Sequence, residues 1–110
     1  MSTIDTHTNV MTLVNVFTVQ PENQNRLVDL LTEATEHTMK GLPGFVSANI
    51  HRSLDGRRVV NYAQWRSQAD FEALKENPDA RVHMKAAAKL ATFEPIVCEV
   101  VDSVTNGQPG

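Results

Sequence analysis

The sequence predicts an α+β fold of the ferredoxin-like kind, ordered βαββαβ, with a four-stranded antiparallel sheet and its helices on one face. Three observations carry that prediction. Stretches rich in β-branched and apolar residues stand at 10–19, 45–53, 57–65 and 95–104. Helically spaced apolar residues fill the interval after the first stretch and the interval before the last. Between the second and third there is room only for a turn at Asp55-Gly56, a strong hairpin signal. Strand, helix, hairpin, helix, strand is the order of a split βαβ sheet.

The elements follow one by one. In "VMTLVNVFTV" one face carries Met11, Leu13, Asn15, Phe17 and Val19, and the other Val10, Thr12, Val14, Val16 and Thr18. Both faces are largely apolar, so both should be buried. Pro21 suits a helix start, and Leu27, Leu30, Leu31, Ala34 and Thr38 keep helical spacing up to Gly41. "FVSANIHRS" alternates as a second strand, with His51 on the face of Phe45, Ser47 and Asn49, and "RRVVNYAQW" returns as the third. Ser67 with Asp70 makes a capping-box-like helix start, Asn77-Pro78 interrupts the helix, and "RVHMKAAAKLA" resumes it. "PIVCEVVDSV" closes the chain as the fourth strand.

A chain of 110 residues is one domain, here 10–104, with a flexible arm at 1–9 and a flexible tail at 105–110. If helices cover one sheet face, the doubly apolar strands need cover on the other. A second copy is the simplest cover, which predicts a homodimer built through the sheet. A net charge of −3 with scattered basic residues argues against a nucleic-acid partner. Cys98 is the single cysteine, which excludes an intrachain disulfide and fits a reducing cytoplasm. The start lacks a signal-peptide pattern, and no apolar run approaches the ~20 residues of a membrane span. A cytoplasmic protein without a membrane partner is expected.

The sequence excludes several chemistries. The histidines His7, His37, His51 and His83 form no metal motif, and Glu33 with His37 supplies only two ligands on an exposed helix face. Neither a dinucleotide fingerprint nor a P-loop is present. Cys98 lacks the basic surroundings that activate a thiol and reads as a small core residue. What remains is polar side chains on apolar strands. Asn15 lies between Leu13 and Phe17 on its face, and Asn61 lies with Val59, Ala63 and Trp65. A buried amide without a partner costs about 1–3 kcal/mol, so two of them need a reason. Trp65 both seals the end of a core and can wall a cavity.

"PGFVSANIHRSLDG" followed by "VVNYAQWRSQADFEA" resembles the antibiotic biosynthesis monooxygenase family, over about residues 10–103 and most strongly at "NYAQW". The resemblance implies a dimeric α+β barrel and a small oxygenase that converts anthrone-type aromatics to quinones with dioxygen and no cofactor. It implies that Asn61 and Trp65 line the substrate cavity and that His51 occupies the family's second-strand histidine position. The pattern departs from the polyketide oxidisers at two places: Phe71 stands where they carry a tyrosine, and Met84 falls near an arginine position. A haem-degrading branch of the superfamily matches at Asn15 and His83, but Leu74 stands where its tryptophan belongs.

The expected function is oxidation of an electron-rich phenol, anthrone or quinol by O₂. Asn61 would donate to the developing oxyanion, Trp65 and Phe71 would hold the aromatic plane, and His51 or His83 would take the proton. Asn15, Phe17, Leu74 and Met84 complete the expected substrate contacts. A dimeric barrel that only binds a small molecule is the alternative, with haem degradation behind it.

Overall fold

A computed structural model describes residues 10–107. The arm expected at 1–9, and 108–110 of the expected tail, lie outside the described residues. Strand β1 (Met11–Val19) leads through a 3-10 turn at Pro21–Asn23 into α1 (Gln24–His37), and a second 3-10 turn at Met39–Gly41 precedes β2 (Phe45–Arg52). Then come β3 (Arg58–Trp65), α2 (Gln68–Ala73), a third 3-10 turn (Leu74–Glu76), α3 (Pro78–Leu90) and β4 (Ala91–Cys98). All pairings are antiparallel, in the order β2-β3-β1-β4. This is the ferredoxin-like α+β fold that the sequence predicts.

Local chemistry fixes the junctions. Gly56, at φ 81°, provides the left-handed residue that the β2–β3 turn requires. Ser67 caps α2 by accepting from the Asp70 backbone N–H at 3.1 Å. Asn77 caps α3 through Ala80 N–H to Oδ1 at 2.9 Å, and Pro78 fills the first helical position, where no N–H is needed. Two helices therefore start within eleven residues of each other, and the chain between them turns over one end of the sheet.

Two elements differ from the sequence reading. The fourth strand begins at Ala91 and ends at Cys98, rather than spanning 95–104. Its ladder on β1 ends at Thr12↔Cys98, where β1 itself runs out, so 99–107 have no strand to pair with. Pro95 lies within β4 rather than at its start, which an edge strand tolerates. The second difference is a bulge in β2 between Phe45 and Ser47. Phe45 faces inward opposite Trp65, while Ser47, Asn49 and His51 stand opposite Gln64, Tyr62 and Val60 on the outer face.

The inward face is built from cross-strand rows. Phe45, Trp65 and Met11 form the first; Ala48, Ala63, Leu13 and Val97 the second; Ile50, Asn61, Asn15 and Pro95 the third; Arg52, Val59, Phe17 and Phe93 the fourth. Helices α1 and α3 pack over them. The buried apolar residues fall into two clusters. One joins Met11, Leu13, Ala63, Trp65, Leu74 and Ala80; the other joins Phe17, Val19, Leu27, Val59 and Ala87. The row of amides lies between them.

Candidate active site

At that interruption the structure holds a cavity of about 270 Å³. An apolar void of ~150 Å³ already admits benzene, so this one has room for a fused-ring guest. Its floor comes from β1 and β3: Leu13, Asn15 and Phe17 on one, Asn61, Ala63 and Trp65 on the other. Leu31, Ala34 and Thr35 of α1 and His83, Met84 and Ala87 of α3 roof it. The void exists because several positions that could fill it are alanine: Ala34, Ala63 and Ala87 are each 3% exposed and end at Cβ. Phe93, Pro95 and Val97 close the β4 side, and Glu72 and Lys75 stand at one rim.

Asn15 and Asn61 are direct partners across the β1–β3 ladder, which puts their Cβ atoms about 4.5–5.5 Å apart. Both Oδ1 atoms are buried, and neither has a hydrogen-bond partner. Solvent does not reach either oxygen and the protein satisfies neither, so a guest's O–H or N–H donors meet them only once the amides turn about Cβ–Cγ. Each amide also carries N–H donors, so the pair can hold a guest that presents a hydroxyl beside a carbonyl.

Trp65 walls one end. It is 3% exposed and held by two rings: Phe45 edge-on at 5.4 Å and 85°, and Phe71 tilted at 6.1 Å and 57°. Phe17 and Phe93, with centroids 5.5 Å apart, stand at the opposite end. The indole therefore has both roles weighed from sequence, sealing a core cluster and walling a void. Phe71, Leu74 and Met84 also line the cavity, Met84 from its exposed edge.

The two candidate histidines separate. His83 lines the cavity, and its Nε2 lies 3.2 Å from Thr38 Oγ1. His51 does not line it: the β2 bulge turns it to the outer face, where it is exposed with Nδ1 3.2 Å from the Asn49 carbonyl oxygen. Sequence alternation alone placed His51 on the face of Phe45, and one inserted residue, Val46, breaks that alternation. Within this chain His51 is therefore withdrawn from the site. Sequence reasoning missed Leu13, Met39, Phe45 and the α1 wall. The signal for that wall was available, since Leu31, Ala34, Thr35 and Thr38 share one helix face and become small or polar along it.

Charge is confined to the rim and beyond. Lys75 donates to Glu72 at 2.9 Å and holds that carboxyl below its ordinary range. Nearby, Arg66 bonds both Asp70 oxygens, at 2.8 and 3.0 Å, and with Ser67 it lowers the Asp70 carboxyl likewise. Among the described residues no three His, Cys, Asp or Glu side chains gather as a metal site. No helix among them is long and apolar enough to cross a membrane.

Comparison with known proteins gives this geometry its relatives. Residues 10–86 match the family model described as antibiotic biosynthesis monooxygenase. A tetracenomycin-F1 monooxygenase of Streptomyces glaucescens is 48% identical over 103 residues, covering 94% of this chain and 92% of that protein. A monooxygenase from the gene ActVA-Orf6 of Streptomyces coelicolor, solved with the ligand nanaomycin D, superposes with a TM-score of 0.81. It is 28% identical, over 94% of this chain and 96% of its own. SnoaB, a cofactor-independent oxygenase from Streptomyces nogalater, gives 0.70 at 25% identity, over 91% of this chain and 99% of that one.

Proposed function

The chain belongs to the antibiotic biosynthesis monooxygenase family, and we propose that it oxidises an anthrone-type or related phenolic aromatic with dioxygen. The observation that carries this reading is the facing pair Asn15 and Asn61, both with unsatisfied buried oxygens, on the floor of a largely apolar void. An aromatic plane fits between the Trp65 and Phe93 ends, and its hydroxyl and carbonyl groups reach the amides.

The chemistry needs a carbanion. His83 removes a proton from the activated CH₂ of the substrate, and the electron pair delocalises onto the ring oxygen. Asn61 donates an N–H to that oxygen, and the surrounding apolar walls keep water from competing. The carbanion passes one electron to O₂, and the radical pair combines to form a C–O bond. Protonation of the peroxide by the imidazolium gives a hydroperoxide. Loss of the second C–H proton then breaks the O–O bond, leaving a new carbonyl and one water. The electrons come from the substrate throughout, so no other reductant enters.

An oxygen electrode run in chelator-treated buffer, with anthrone and quinol substrates and the quinone followed by absorbance, tests the proposal. One amide donor to an oxyanion is worth about 3 kcal/mol, so Asn61→Ala should lower kcat roughly a hundredfold while the fold persists. Tight binding of an anthrone without oxygen uptake would leave a binding protein instead. We infer further that two copies associate through the outer sheet face, where Val14, Val16, Val60 and Tyr62 are half-buried and Ile96 is 42% exposed. A monomer at micromolar concentration in analytical ultracentrifugation would exclude that.

A further inference from the structure

We propose that Thr38 is a positioning residue of this site: it holds the proton on Nε2 of His83 and leaves Nδ1 bare as the base. The inference rests on His83 acting as proposed above. Three threonines sit along α1 and its exit. Thr32 Oγ1 donates to the Val28 carbonyl at 2.8 Å and Thr35 Oγ1 to the Leu31 carbonyl at 2.9 Å, the usual fate of a helical threonine hydroxyl. Thr38 does otherwise. Its backbone leaves the helix at φ −125°, ψ −61°, and its N–H closes on the Ala34 carbonyl at 3.0 Å. Its hydroxyl reaches across to α3 and meets His83 Nε2 at 3.2 Å. Among the described residues this is the sole side-chain hydrogen bond of either residue.

The consequence is one of tautomers. With Nε2 engaged by Thr38, Nδ1 is the ring nitrogen without a protein partner. The hydroxyl can pair with either tautomer, but Nδ1 accepts a substrate proton only when it carries none, and in that tautomer Nε2 bears the hydrogen and donates it to Oγ1. A hydroxyl oxygen accepts from the neutral ring and more strongly from the imidazolium, so the bond survives the transfer. The ring need not turn between taking the proton from carbon and returning it to the peroxide. Thr38 also ties the end of α1 to the middle of α3, the two helices that roof the void, so the base is held relative to the amides below.

The test uses ¹⁵N-histidine-labelled protein and two substitutions. Long-range ¹H–¹⁵N spectra of the neutral His83 ring should show Nε2–H with a bare Nδ1 in the wild type. They should show mixed tautomers in Thr38→Val, and the wild-type pattern again in Thr38→Ser. With substrate, Thr38→Val should lower kcat about tenfold with KM nearly unchanged, and Thr38→Ser should recover most of it. In a His83→Gln background, Thr38→Val should cost nothing more. An Nδ1–H tautomer in the wild type overturns the proposal, as does a Thr38→Val loss that persists without His83. If the wild type consumes no oxygen with any substrate, the reaction proposed above fails and the kinetic role of Thr38 with it. The spectra then still decide whether Thr38 sets the tautomer.

Discussion

Replacing Asn61 with leucine should make the protein more stable and less active at once. The two side chains share their branching and heavy-atom count, and the extra bulk of the leucine methyls goes into the void that Asn61 lines, so the substitution does not crowd the β1–β3 ladder. What it removes is an amide oxygen that is buried without a partner. Such a group costs about 1–3 kcal/mol in the folded state, and the unfolded chain carries no such cost because water satisfies it. The leucine methyls would rest against the wall formed by Leu13, Ala63 and Phe17. A net gain of roughly 1–2 kcal/mol is expected, which for a domain near this size raises Tm by about 4–8 °C per kcal/mol. Thermal and urea unfolding at one fixed protein concentration measure it, since association would otherwise shift Tm. Oxygen uptake on the same samples should fall at least as far as in Asn61→Ala. A drop in Tm of several degrees would refute the reasoning, because it would mean that the amide is already satisfied in the resting protein.

Other consequences are independent of that pair. Ala87→Leu fills the roof of the void from α3, so substrate KM should rise more than about tenfold while the far-ultraviolet spectrum stays unchanged. Gly44→Ala should destabilise by more than about 1 kcal/mol in urea: Gly44 has φ 83°, and a Cβ there would collide with the Asp70 side chain. Acid should loosen α2 through Asp70. Its folded carboxyl lies below the ordinary value of 3.8, so its contribution is intact above that pH and is lost as pH falls through the depressed value. Trp65, the single tryptophan, contacts Phe71 of α2 and reports this by fluorescence. The part of the change below about pH 4 that belongs to Asp70 should be missing in Asp70→Asn.

The fold was legible because its signals are local. Asp55-Gly56, Ser67 with Asp70, and Asn77-Pro78 each specify a turn or a cap through nearby residues, and the structure keeps all three. Strand faces were legible wherever alternation runs unbroken, which placed Asn15 with Leu13 and Phe17 and Asn61 with Trp65, whereas the pairing of the two asparagines emerges only from the β1–β3 register. Alternation failed at β2, where Val46 adds a residue that propensity cannot reveal, because a bulge is chosen by how Phe45 packs on Trp65. It failed again after Cys98, where a β-branched run has no neighbour to pair with. The partnership of Thr38 and His83 spans 45 positions and depends on how α1 and α3 cross, so neither residue type nor spacing announces it.

The position of the amides explains how one small domain is both stable and hollow. A 110-residue chain has little apolar surface to spare, and an open core would ordinarily weaken it. Here the loss is confined to one cross-strand row. Trp65, Leu74 and Met11 pack one side of it and Leu27, Phe17 and Val59 the other, and each cluster ties helices to sheet on its own. Were Asn15 and Asn61 apolar, the clusters could merge and the helices could settle onto the floor. The two half-buried amides oppose that collapse, since settling would bury the rest of each side chain without giving its oxygen a partner. The same amides thus keep the void open and give a guest its reason to enter. Substituting both with leucine should therefore close the cavity to any aromatic ligand, whereas substituting both with serine should leave it open but weaken binding.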